Sequence, residues 1–307
     1  MVFKIEFHAM GSEVMAALDS SEADARILER VPGWFDGWED SLSRFRPGSE
    51  LNRVNAASGR PVQVSKTFWE VLLLSLRGAA ESEAIVTPEI LDSMEAIGYD
   101  RSFDLISSAP GTLGDFEPIV SRLDEIQLDA AACTVTLPAG LRLDFGGFGK
   151  GWAADRTMRR LKKYGPALVN AGGDVAGSGP LSDLTAWPVG VEAPFERGVA
   201  TRVLAIQRNG VATSGRDHRR WMAGGAWQHH IIDPRTGRSA ITDILTATIL
   251  APTVMEAELA AKTVFIKGSR GGESWLNSHP RYAGLIVLEN GDSLMLNNFN
   301  DHLWRVS

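Results

Sequence analysis

The stretch from Leu143 to Asp174 constrains this chain more than any other. Gly146, Gly147, Gly149 and Gly151 crowd into LDFGGFGKG and give way to a helical pattern. In that pattern Ala154, Met158 and Leu161 share one face, and basic residues fill the last two turns, where the macrodipole favours them. ALVNAGGDVAGSG, residues 167–179, then reads as a strand running into a glycine-rich turn. Glycines allow a ligand close to the backbone, and the free N–H groups of a helix start point at an anion. Lys150 adds a mobile positive charge. The same residues equally suit a tight strand-to-helix connection, so both readings stand at this level.

The familiar phosphate loops do not fit. A Walker A loop needs a glycine where Asp144 stands and a Ser or Thr where Gly151 stands. A dinucleotide fingerprint begun at Gly147 meets Trp152 at its third glycine. Begun at Gly149, the looser form ending in Ala154 is met, but the surrounding chain lacks the βαβ rhythm such a motif needs.

The remaining pattern is a mixture. Phe3, Ile5 and Phe7 alternate with Lys4 and Glu6, so residues 2–19 read as two short strands. A helix is expected over about 21–42, a polar turn over 43–55, and a helix over 66–82 behind an N-cap at Ser65. A short helix opened by Pro88 follows. IQL, TVTL and LRLDF read as strands between 120 and 145, and Cys133 is placed in a strand by its neighbours. Strands dominate to about 250, a helix covers roughly 254–267, and strand pairs close the chain. Strands and helices in this order predict an α+β fold with mixed or antiparallel sheets.

Composition excludes several classes. With 44% apolar and 22% charged residues the chain is an ordinary globular sequence, not a disordered one. Thirty-one basic against 38 acidic residues give a net charge of −7, which argues against a nucleic-acid partner. One cysteine, Cys133, permits neither an internal disulfide nor a multi-Cys zinc site. No apolar run is long enough to cross a bilayer, and the N-terminus carries no signal-peptide pattern, so a cytoplasmic protein is expected. In HHIIDPRTGRS, residues 229–239, His230 lies near Asp233, but neither a GxSxG elbow nor an HExxH motif accompanies them.

Taken together and in order, the segments resemble the ApbE family of FAD:protein FMN transferases. The matching pieces are Met10-Gly11-Ser12, LSRFRPGSELNRVN (42–55), LDFGGFGKGWAADR (143–156), ALVNAGGDVAGSG, VATSG (211–215), HHIIDPRTGR (229–238) and APTVMEAELAAKTVFIKG (251–268). The resemblance spans nearly the whole chain and implies a T-shaped α+β fold, with residues 1–307 forming one catalytic domain. It implies transfer of FMN from FAD, with Mg²⁺ and release of AMP, to a Thr or Ser hydroxyl on an acceptor flavoprotein. By resemblance, Met10, Phe45, Ile85, Val86, Thr87, Asp144, Lys150 and Ile231 fall at FAD-lining positions. His230 lies near the flavin phosphates as an acid–base candidate beside Lys150. Gly147, through its carbonyl, and Glu258 fall at metal-binding positions.

Three residues depart from the family pattern. Glu258 stands where many members have a metal-binding Asp, and Lys262 where they have a metal-binding Thr. A protonated Lys ligates no metal. Glu258 and Lys262 are either an ordinary i,i+4 ion pair or an ammonium in a metal's place. Thr87 stands where many members have an Asp that helps bind FAD, and Glu89 follows in place of a Thr. These changes predict weakened or absent Mg²⁺ dependence.

Overall fold

A computed structural model describes residues 1–106, 113–183 and 185–305. The chain divides into two compact units, 1–34 with 150–218 and 242–307, and 35–149 with 219–241.

The first unit is built on one eight-stranded antiparallel sheet. Numbered along the chain within this sheet, its strands are β1 (Val2–Ala9), β2 (Ser12–Asp19), β3 (Ala167–Ala171), β4 (Asp174–Gly177), β5 (Gly210–Gly215), β6 (Ile244–Ala251), β7 (Ala283–Leu288) and β8 (Ser293–Leu296). Their order in space is their order in sequence, so each strand lies beside the one before it. The helices and the second unit are insertions into this meander.

Strand alternation sets the two faces. Val211, Leu250 and Leu285 turn toward a core that also holds Trp187, Val191, Leu204 and Ile206 from the hairpin Trp187–Ala193/Glu196–Ile206. In the opposite phase Ala247, Ile249 and Ala251 are also buried, and the helix Val254–Asn277 packs along β5 and β6. That helix is capped by the Thr253 hydroxyl, which accepts from Glu256 N at 3.3 Å, and it breaks at Gly268. The expected end near 267 is therefore the break, and a second helical segment continues to Asn277.

The second unit holds the helices Glu50–Ala56, Lys66–Glu81 and Leu91–Ala96 and a three-stranded sheet in the order Val62–Gln63, Thr134–Thr136, Gln127–Asp129. Two hairpins, Arg220–Ala223/Ala226–His229 and Ile232–Asp233/Arg238–Ser239, belong to it as well. Met94, Ile97, Tyr99, Trp221 and Ile232 form one of its cores, and Trp221 Nε1 donates to Ile97 O at 2.9 Å.

The α+β expectation holds, with antiparallel pairing throughout the large sheet. The Ser65 cap is present, accepting from Phe68 N at 3.2 Å. Four local readings change. The polar 43–55 segment contains the helix Glu50–Ala56, capped by Ser49. The short helix starts at Leu91 rather than at Pro88. LRLDF is not a strand, because the Asn55 side chain takes both the N–H and the carbonyl of Leu143, at 2.8 and 2.9 Å, in place of a sheet partner. Cys133 occupies the turn before Thr134–Thr136, with φ 53°. Among the described residues no helix is long and apolar enough to cross a membrane.

Candidate active site

In the first unit the glycine run ends where the helix Gly149–Leu161 begins, and Lys150 stands in its first turn. Its ammonium meets two carboxylates. One is Asp174 on β4, and the other is Glu258 on the long helix, at 3.3 Å. Glu258 Oε1 also accepts from Lys262 Nζ at 2.8 Å, one helical turn further on. Glu258 Oε2 accepts from the Gly151 N–H at 3.2 Å. The result is an alternating chain of charges, Lys262–Glu258–Lys150–Asp174, nearly out of solvent: Glu258 is 1% exposed and Asp174 3%.

Local sequence explains how these side chains meet. β3 and β4 pair Ala171 with Asp174 across the two-residue turn Gly172-Gly173, with φ 66° and 96°. Both turn positions need positive φ, which glycine supplies. The turn therefore delivers Asp174 at the first position of its strand. Gly151 lets the long helix come close, because a Cβ there would lie 2.7 Å from Glu258 Oε2 and 3.4 Å from the Met255 backbone. One turn later Asp155 fastens the same two helices. Its carboxylate accepts from Val254 N and Met255 N, each at 3.2 Å, at the start of the long helix.

Burial and charge pull these carboxyls apart. Burial alone would raise Glu258, but Lys150 and Lys262 outweigh it and hold the group below its ordinary value. Asp174 moves upward, because burial outweighs the attraction of Lys150 and the Glu258 charge adds to it. Asp155 is pushed up to about 6 by burial, against the pull of its two amide donors.

The second unit holds a different cluster. Arg44 Nε pairs with Asp144 Oδ2 at 2.7 Å, and Arg44 Nη1 donates to Tyr99 O at 2.5 Å. The guanidinium lies 4.2 Å from the Phe45 ring centroid and 4.6 Å from that of Tyr99. Nη2 is buried with no hydrogen-bond acceptor among the described residues. Asp144 Oδ1 closes onto Gly146 N at 2.6 Å, and Asn52 holds the Arg44 and Arg46 carbonyls.

The sequence-derived residues are placed as follows. Lys150, Glu258 and Lys262 come together in the first unit, joined by Asp174. Phe45 and Asp144 come together in the second, joined by Arg44. Met10 occupies the β1–β2 turn with φ 51°, unusual for a side chain of its size. Ile85, Val86 and Thr87 are buried in a segment that follows two positive-φ residues, Glu83 and Ala84. The Ser82 hydroxyl braces it, donating to Val86 O at 3.2 Å and accepting from Val86 N at 3.1 Å.

Glu89 does not supply a loose charge there. Its carboxylate accepts from Thr87, from Ser121 at 2.7 Å and from Arg122 N at 2.7 Å. Gly147 lies in the turn whose following amides, Phe148 and Gly149, bond to Phe145 O. Ile231 is buried and His230 half-buried. The neighbouring Asp233 accepts from Arg235 with both carboxylate oxygens, at 2.8 Å each.

Asp174, Asp155 and Arg44 were not picked out from sequence. Asp174 carried one signal, its place directly after a Gly-Gly turn. Arg44 stands beside Phe45, and Asp155 lies one turn beyond Gly151.

The metal implied by resemblance can be tested on the donor set. Magnesium takes oxygen ligands at roughly 2.0–2.1 Å in a near-octahedral shell. Both Glu258 oxygens are already engaged, one of them by two ammonium groups. Among the described residues no three His, Cys, Asp or Glu side chains gather to hold a metal. Two carboxylates interleaved with two ammonium groups do not fit a divalent cation.

Comparison with known proteins agrees with this architecture. The sequence profile of the ApbE family matches residues 10–286. An FAD:protein FMN transferase of Klebsiella pneumoniae is 28% identical over 296 residues, covering 93% of this chain and 89% of that protein. One from Treponema pallidum is 29% identical, covering 85% and 76%. The ApbE protein of Thermotoga maritima superposes with a TM-score of 0.84 at 22% identity, covering 99% of this chain and 100% of that one. The flavin transferase ApbE of Vibrio cholerae superposes with 0.80 at 18% identity, covering 99% of each. With the family profile running from the β1–β2 turn to β7, the chain belongs to the ApbE family.

Proposed function

We propose that this protein transfers FMN from FAD to a Thr or Ser hydroxyl of an acceptor flavoprotein and releases AMP, with residues 1–307 acting as one catalytic domain. The observation that carries the reading is the family match over 10–286. The names of its full-length relatives support it.

In this reaction the acceptor oxygen attacks the phosphorus that bears the flavin. A phosphoester bond forms, the pyrophosphate P–O bond breaks, and its electron pair leaves with AMP. The site must stabilise charge that grows on phosphoryl oxygens. Lys150 is assigned that task, because it is a fixed cation in the first turn of a helix, held by two buried carboxylates. His230 is assigned proton transfer, since an imidazole titrates near neutral pH. Phe45, with the Arg44 plane stacked on it, is assigned a ring-binding face, and Met10, Ile85, Val86, Thr87, Asp144 and Ile231 the remaining FAD contacts. No step is given to a divalent cation. The acceptor is taken to be a cytoplasmic flavoprotein.

Incubation with FAD and a Thr-containing acceptor, followed by in-gel flavin fluorescence and AMP measurement, tests the reading. A fluorescent acceptor band with matching AMP is expected. AMP and free FMN without a band would make the protein an FAD pyrophosphatase, and bound, intact FAD would make it a flavin binder.

A further inference from the structure

We infer that the Lys262 ammonium stands where a divalent cation would have to bind, and that a diphosphate at this cluster is met by ammonium N–H donors rather than by a metal. The inference rests on the transfer reading above for the identity of that diphosphate, but not for the exclusion of metal.

Position comes first. Lys262 Nζ lies 2.8 Å from Glu258 Oε1, the oxygen that also accepts from Lys150 at 3.3 Å. A magnesium ion on that oxygen would sit at about 2.0–2.1 Å and demand further oxygen donors around it. The volume beside Oε1 is instead filled by two ammonium groups. The other oxygen, Oε2, faces the Gly151 amide.

Charge comes second. Two ammonium groups and two carboxylates sum to zero. In the ligand-free protein a divalent ion would leave the buried cluster with two uncompensated positive charges, and interior charges are stable only when paired. If residue 262 were neutral, the same cluster would carry one negative charge and would welcome a cation. Lys262 therefore decides the matter by itself.

Burial comes third. An i,i+4 Glu–Lys pair on a helix surface contributes only about 0.2–0.5 kcal/mol. Here Glu258 is 1% exposed and the Lys262 side chain 14%, so the pair is part of the interior. An ammonium has three donors and can turn one toward an anion without leaving Glu258. That is the service a bridging cation would supply to a diphosphate.

The test uses the full chain, stripped with EDTA and desalted. Mn²⁺ uptake is followed by the loss of the free-ion EPR signal, with and without FAD, and FAD affinity is measured in EDTA and in excess Mg²⁺. The wild type is expected to take up no stoichiometric Mn²⁺ up to millimolar concentration, and to bind FAD equally in both buffers. Lys262→Met, which removes charge but adds no oxygen donor, should weaken FAD binding in EDTA by about tenfold, near 1.4 kcal/mol, without rescue by Mg²⁺. Lys262→Thr should take up Mn²⁺ and make FAD affinity depend on Mg²⁺. Stoichiometric Mn²⁺ uptake by the wild type, EDTA-sensitive FAD binding that Mg²⁺ restores, or unchanged FAD affinity in Lys262→Met would each overturn the inference. Failure to flavinylate any acceptor in either buffer would defeat the transfer reading alone, because the wild-type Mn²⁺ measurement needs neither a substrate nor a folded variant.

Discussion

The two units each bury a cation against an aspartate, and they do it in opposite ways. In the first, Lys150 is shared by Asp174 and Glu258, and Lys262 closes the series, so charge is balanced by charge. In the second, Arg44 faces one carboxylate, Asp144, and is otherwise enclosed by the rings of Phe45 and Tyr99 and a carbonyl. One of its nitrogens, Nη2, has no acceptor among the described residues. An unsatisfied buried donor costs about 1–3 kcal/mol, which an incoming acceptor would return. The first cluster is therefore saturated by its own chain, and the second is not. A compact ammonium suits the role of shared point charge, whereas a planar guanidinium suits stacking.

The largest effect should come from breaking the saturated cluster. Lys150→Met leaves Asp174 without its ion-pair partner and Glu258 with Lys262 alone. Removing one member of a buried pair costs about 3–5 kcal/mol. Urea unfolding should show a loss of that size, and FMN transfer should fall by at least about a hundredfold, the usual scale for a lost transition-state donor. A variant as stable as the wild type would show that the cluster is not saturated by charge.

A somewhat smaller effect is expected from pH, through Asp155 beneath the same two helices. Its carboxyl stands at about 6 in the folded chain against an ordinary 3.8. Between those values the unfolded chain has lost this proton and the folded chain has kept it. Stability should thus fall as pH rises from 3.8 to about 6, by roughly 3 kcal/mol at 1.36 kcal/mol per unit. Asp19 acts in a separate window and with the opposite sign. The N-terminal amino group and Ser182 lower it to about 2, so its contribution is lost only as pH falls from 3.8 toward 2. Urea midpoints across this range, compared with Asp155→Asn, isolate the Asp155 contribution. An unchanged pH profile in the variant would rule it out.

The comparison also shows what a sequence can carry. β1 and β2 were legible because their alternation is local, and the Lys66–Glu81 helix because its cap and its apolar face lie within one segment. LRLDF misleads for the opposite reason: its alternation is right, but the groups that satisfy Leu143 sit on Asn55, 88 residues away in sequence. The site divides along the same line. Lys150 was marked by the glycine-loop motif, and Glu258 and Lys262 by the resemblance to the ApbE family, whose metal-binding positions they occupy. Asp174 gains its meaning from Lys150, 24 residues upstream, and from the charges of Glu258 and Lys262 on the long helix, and nothing local distinguishes it from any aspartate after a turn. Arg44 is concealed similarly. The rings around it come from the adjacent residue and from Tyr99, and its carboxylate lies on the glycine loop.

The smallest effect should come from the unsaturated cluster, and it bears most directly on the difference between the units. Arg44→Lys keeps a cation near Asp144 but removes the planar stack and the unsatisfied Nη2. The lost cation–π contact is worth about 1 kcal/mol, and removing the orphan donor returns a similar amount. Urea unfolding should therefore change by no more than about 1 kcal/mol, well below the Lys150→Met loss. FAD affinity should fall nonetheless, because the stacked plane beside Phe45 is gone. A variant that unfolds as easily as Lys150→Met would mean that Arg44 is as fully committed to its own chain as Lys150 is. The two units would then differ in chemistry but not in readiness for a ligand.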